Sequence, residues 1–175
     1  MKINYKKVAT YTLFYFPAAL FLSLVVFSRF FVINYTESLP TGIYTFSNNL
    51  YHLKEGDTVT FDYKLCCKIK GLDLPLFDNF MKNITGVEGD KLYYKDEAQT
   101  ILILEKKDGT KKEFEMLAES FDGQKLPKIK PTTIGDGYFF LTTPAERSFD
   151  SRYYGLVHRT YMKHKADLFL EIDFN

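Results

Sequence analysis

From Val8 to Ser28 the chain reads VATYTLFYFPAALFLSLVVFS, with no charged side chain. About 20 apolar residues suffice to cross the hydrocarbon core of a bilayer as a helix. Pro17 lies within the run and is expected to bend that helix without breaking it. Lys2, Lys6 and Lys7 precede the span, so the positive-inside rule keeps the N-terminus in the cytoplasm and places everything after about Ile33 outside. Arg29 closes the far end, where its head can snorkel to the interface. A cleaved signal peptide would have a shorter apolar region followed by a small-residue site. SRFFVINYT offers none, so the expectation is an uncleaved anchor.

The expected organisation is therefore a stub and anchor over residues 1–33, with the span at about 8–28, followed by one exported domain over 34–175. A net charge of +1 gives no global reason to bind nucleic acid, and 13 Tyr with 17 Phe favour strands. GIYTFS, DTVTFDY, KLYYKD and DGYFFLTT read as short strands, and RTYMK as a weaker one. In TILILEKKDGTKKEFEML, Asp108-Gly109 separates two strand-like arms as a hairpin would, and EKKDGTKKE reads as its solvated tip. No helical period appears past the anchor, so a mainly β, antiparallel domain is expected.

Cys66 and Cys67 are adjacent. Neighbouring Cα atoms stand closer than disulfide-bonded pairs usually do, so free or buried thiols are expected. With no CxxC or Cys/His cluster, neither a metal nor a cofactor is expected. His52, His158 and His164 lie outside any nucleophile-elbow context and read as surface or structural residues. The sequons NYT and NIT matter only in a eukaryotic secretory host, and a bacterial one is expected.

Three segments carry chemistry. NYTESLPTGIY, residues 34–44, offers the hydroxyls of Thr36 and Ser38 just beyond the apolar run, with Pro40 and Gly42 to hold a turn. MKNITGVEGD sets Lys82 on one face of a greasy strand with Phe80 and Ile84. Burial there would bring a lysine toward neutrality, as a general base requires. RSFDSRYYG, residues 147–155, holds Ser148, Asp150, Ser151 and Arg152, and by itself reads as a polar turn with a local ion pair.

Together and in this order, behind an anchor, these segments resemble the type I signal peptidase family, most closely its conjugative-transfer, TraF-like branch. FDGQKLP upstream of GYFFL adds to the likeness. The resemblance implies a signal-peptidase-like antiparallel β domain behind one transmembrane helix, with Ser38 as nucleophile and Lys82 as general base. It implies an oxyanion hole from the Thr36 hydroxyl and the Ser38 backbone N–H. Ser148 would orient the lysine, and Asp150 and Arg152 would form the ion pair that shapes the wall. Phe80 and Met81 are candidate walls of the substrate cleft.

Three departures stand out: Asn83 where many members have Arg, TTPAE in place of a Gly-Asp-Asn stretch, and Leu39 where housekeeping enzymes often have Met. Arg147 is the expected substitute for the missing charge partner of Asp150. The other two departures point to the conjugative branch. The implied substrate is a precursor with a signal peptide, a pilin in that branch, released by hydrolysis or by cyclisation. The implied setting is a bacterial inner membrane with the catalytic domain in the periplasm, in company with a conjugative transfer apparatus. The alternatives are a housekeeping peptidase of general secretion and a non-catalytic pilus-assembly scaffold on the same fold.

Overall fold

A computed structural model describes residues 5–67, 69, 79–120 and 123–173. Helix α1, Tyr5–Phe30, contains the apolar run with Pro17 inside it. Leu13, Phe14, Tyr15, Phe21 and Leu22 are each more than 60% exposed, so this is not a core helix. It is the one helix among the described residues long and apolar enough to cross a membrane.

The rest is mainly β, as the Tyr/Phe/Thr-rich runs predict. Strands β1 (Phe31–Asn34), β2 (Gly42–Ser47), β3 (Thr58–Asp62), β4 (Asn79–Gly86), β9 (Tyr138–Thr142), β10 (Val157–His158) and β11 (Met162–Glu171) form one sheet, in the order β1-β2-β11-β3-β4-β9-β10. Strands β5 (Lys91–Tyr94), β6 (Ile101–Glu105), β7 (Lys111–Glu115) and β8 (Thr132–Thr133) form a second sheet, in the order β7-β6-β5-β8. Every pairing is antiparallel. Two single-turn helices, α2 (Tyr63–Cys66) and α3 (Ser151–Tyr154), interrupt the strands.

Alternation along β9 serves two cores. Phe139 and Leu141 pack with Val59, Phe61 and Ile84, while Phe140 packs with Leu92, Leu102 and Leu104 of the smaller sheet. Gly86 sits where these layers meet: an added Cβ would lie 2.8 Å from Ile134 Cδ1 and 2.9 Å from Phe140 Cβ, closer than carbon atoms pack.

The Asp108-Gly109 hairpin forms as read, β6 and β7 pairing with Gly109 at φ +87°. Its tip is exposed except at Glu105 and Lys106, and the Lys106 side chain is the more buried of the two. That ammonium turns inward, ion-paired to Glu55 at 2.8 Å and Asp90 at 3.1 Å, and donates to Thr85 O. RTYMK is corrected: Arg159–Tyr161 is a 3-10 turn, and the strand begins at Met162 and runs ten residues. The cysteines are corrected as well. Cys66 and Cys67 form a disulfide between neighbours, Cα–Cα 3.7 Å. Helix α2 ends at Cys66, and the non-helical backbone of Cys67 (φ −145°, ψ 15°) lets the two side chains meet.

Candidate active site

Strand β1 follows α1 without a break, so the segment leaving the helix is already an edge strand. It pairs with β2 from Phe31↔Thr45 to Asn34↔Gly42. Residues 35–41 are the loop of this hairpin and carry Thr36 and Ser38. Leu39, 4% exposed, anchors the loop in the protein, and Tyr44 Oη donates to Pro40 O at 2.8 Å. Gly42 closes the loop at φ +153°, where any Cβ would collide with Leu170 O on β11. Ser38 Oγ lies 3.1 Å from Thr36 Oγ1, a hydrogen bond between hydroxyls.

Strand β4 positions Lys82 opposite Val59 of β3. The side chain shares a face with Phe80 and Ile84, and its Nζ stands 5.8 Å from the Phe80 ring centroid. Lys82 is only 6% exposed. Burial lowers its pKa to about 8; the Asp150 carboxylate pulls the other way and the Arg152 guanidinium adds to the fall. Lys82 Nζ donates to Ser148 Oγ at 2.7 Å.

The segment bearing Ser148 is fixed by polar groups that are themselves buried. Asp150 caps α3 by accepting from Arg152 N at 3.1 Å. The Arg152 guanidinium grips the Asp150 carboxylate twice, at 2.8 and 2.9 Å, and donates to Ser148 O at 3.0 Å. Its remaining arm reaches Glu115 O of β7 at 3.1 Å, tying the smaller sheet to the site. Ser151 Oγ accepts from Leu141 N of β9 at 3.0 Å. Burial pushes the Asp150 carboxyl up, and Arg152 opposes that shift. Arg147 does not take the role expected of it. It is exposed, and Arg152 supplies the guanidinium for Asp150. Asn83, in the position of the missing Arg, instead accepts from Thr58 Oγ1 at 2.8 Å.

Two groups of sequence-selected residues thus come together: Lys82 with Ser148, Asp150 and Arg152, and Ser38 with Thr36. Among the described residues no hydrogen bond joins Ser38 to Lys82. Phe80 and Met81 separate by alternation. Phe80 stacks on Tyr63 at 4.9 Å and meets Phe149 and Tyr154 edge-on or tilted, making it a wall of the lysine pocket. Met81 lies half-buried opposite Thr60. The described residues hold no group of three or more His, Cys, Asp or Glu placed for a metal ion.

Sequence reasoning missed Asn34, which is 7% exposed and meets the loop on every side. The signal was present as an Asx turn, an Asn whose side chain caps the backbone two residues on.

The described residues combine a mainly β domain, a buried lysine bound to a serine hydroxyl, a hairpin loop bearing two hydroxyls, and an apolar helix that runs directly into that hairpin. The model of the signal peptidase family, peptidase S26, matches residues 5–170, and the chain belongs to that family. Membership makes it a serine peptidase of the signal-peptidase type, acting on precursors that carry signal peptides. A search of curated proteins finds no match.

Proposed function

We propose that the chain is an anchored endopeptidase in which Ser38 attacks the scissile carbonyl and Lys82 is the general base, with a pilin precursor of a conjugative transfer system as substrate. The observation that carries the dyad is Lys82 itself. A lysine 6% exposed, with its pKa brought to about 8, is neutral in a useful fraction near physiological pH. Ser38 Oγ would bond to the carbonyl carbon as its proton passes to Lys82 Nζ. Lys82 would return that proton to the departing amine, leaving an acyl-enzyme on Ser38. Water resolves the ester in hydrolysis, and an amine of the same chain resolves it in cyclisation. Ser148 orients the lysine, and the Asp150–Arg152 pair holds Ser148. The Ser38 N–H and the Thr36 hydroxyl are the proposed oxyanion donors.

In this reading α1 is a single-pass anchor in the inner membrane with a cytoplasmic N-terminus, and residues 34–175 form the periplasmic domain. The bare apolar side chains of α1 support the anchor, and Lys2, Lys6 and Lys7 support the direction. The absent Gly-Asp-Asn stretch favours the conjugative branch over general secretion.

The test is co-expression of the full chain with the pilin precursor encoded nearest to it, followed by intact-mass measurement of the product. Cleavage by the parent and none by Ser38→Ala or Lys82→Ala is expected. Unchanged processing in both variants would overturn the dyad, and a precursor left whole by the parent would overturn the pilin assignment. A product lighter than the cut linear peptide by one water would identify cyclisation.

A further inference from the structure

Asn34 makes more hydrogen bonds to the 36–40 loop than any other side chain described. Its Nδ2 faces three carbonyls, Thr36 O, Leu39 O and Pro40 O, each at 3.1 Å. Its Oδ1 accepts from Thr36 N at 3.2 Å and from Thr36 Oγ1 at 2.7 Å. Three acceptors on one side and a backbone N–H on the other leave only one orientation of the amide. That orientation decides a proton. The Thr36 hydroxyl has a single hydrogen, and Asn34 Oδ1 can only accept it. Thr36 Oγ1 therefore has no hydrogen for Ser38, and the 3.1 Å contact between the two hydroxyls runs from Ser38 to Thr36. The chain of donors is Ser38 to Thr36 to Asn34.

We infer that Asn34 is a positioning residue of this peptidase: its amide holds the loop that carries Ser38 and sets the Thr36 hydroxyl as acceptor toward Ser38. The inference rests on the proposal that Ser38 is the nucleophile. It adds a condition to that proposal. With the substrate absent, the Thr36 proton is held by Asn34 and the Ser38 proton by Thr36. Attack begins when Ser38 turns its proton from Thr36 toward the base. Thr36 becomes an oxyanion donor only by releasing Asn34 Oδ1, which keeps the Thr36 N–H. The backbone of the loop then stays in place while the hydroxyl swings.

The experiment uses the full chain in detergent and the pilin precursor cleaved by the parent enzyme, with Ser38→Ala as the control. Asn34→Ala is expected to lower kcat by about 10–100-fold, the scale of a misaligned reacting group, with KM within about threefold of the parent by the same argument. The loss should shrink in a Thr36→Val background, because Asn34 then has no hydroxyl to direct. If Asn34→Ala shows no cooperative melting transition, Asn34→Asp is read instead. It keeps the acceptor toward Thr36 and loses the donors to the three carbonyls, and the same drop in kcat is expected. A folded Asn34 variant with parental kcat would overturn the inference, as would an equal fold-loss in the parent and Thr36→Val backgrounds. Activity surviving in Ser38→Ala would instead overturn the nucleophile assignment.

Discussion

Lys82 Nζ donates to Ser148 Oγ at 2.7 Å, joining residues 66 positions apart in a site where both side chains are buried. Ser148 thereby fixes one direction of an amine that would otherwise rotate freely. Ser148→Ala should lower kcat by about 10–100-fold through loss of that alignment, with little change in KM. Steady-state kinetics on the precursor checks it, and Ser148→Thr, which keeps the hydroxyl, should recover part of the loss.

The pH dependence follows from Lys82. Burial favours its neutral form, so kcat/KM should rise with pH along a limb of apparent pKa about 8. Lys82→Met should remove the limb and most of the rate, about 10²–10⁴-fold. Stability carries the same signature. Between about 8 and the ordinary 10.5 the unfolded chain keeps a proton that the folded one has released. Folding is therefore favoured progressively as pH rises through that window, with no slope from Lys82 below it. Melting temperatures of the parent and Lys82→Met from pH 7 to 11 would reveal the difference.

Asp150 and Arg152, 0% and 3% exposed, form a pair whose members cannot be removed singly without stranding a charge. Asp150→Ala should destabilise the domain by about 3–5 kcal/mol. The double variant Asp150→Ala/Arg152→Met should cost less than the two single losses combined, because no bare charge remains. Denaturant unfolding of the four proteins measures the coupling.

Gly42 combines a φ of +153° with direct apposition to Leu170 O of the neighbouring strand. Gly42→Ala should destabilise by about 1–3 kcal/mol from backbone strain alone, with further loss from the steric clash. Because Gly42 also closes the loop bearing Ser38, activity at a temperature where the variant stays folded should fall too. Thermal melts paired with kinetics separate the two effects.

Much of the fold was legible where hydrophobic pattern and turn chemistry agreed. GIYTFS coincides with β2, and Asp108-Gly109 closes the β6–β7 hairpin, because a glycine at positive φ and alternating arms are local properties. β1 was hidden because its residues continue the apolar run of α1 with no change in composition. β11 was hidden because only Met162 and Ala166 of its ten residues are buried. It is held by backbone pairing on both sides, to which side-chain pattern is blind. In the site, Lys82 stood out as a charge on an apolar face, whereas Asn34 looked like a polar exit from a helix. Its role depends on carbonyls that only the folded loop brings round it. Arg147, read as a second charge partner for Asp150, is exposed, while Arg152, the partner already expected, is turned back onto the carboxylate by α3.

The strand order makes one segment a clasp. β11 lies between β2 and β3, so the hairpin that presents Ser38 is joined to the Lys82-bearing half of the sheet through residues 162–171, a segment remote in sequence from both. Without this strand each half would be left with an unpaired edge. The Ser38 hairpin and the Lys82-bearing strands are therefore joined in one sheet only once this segment has paired with both.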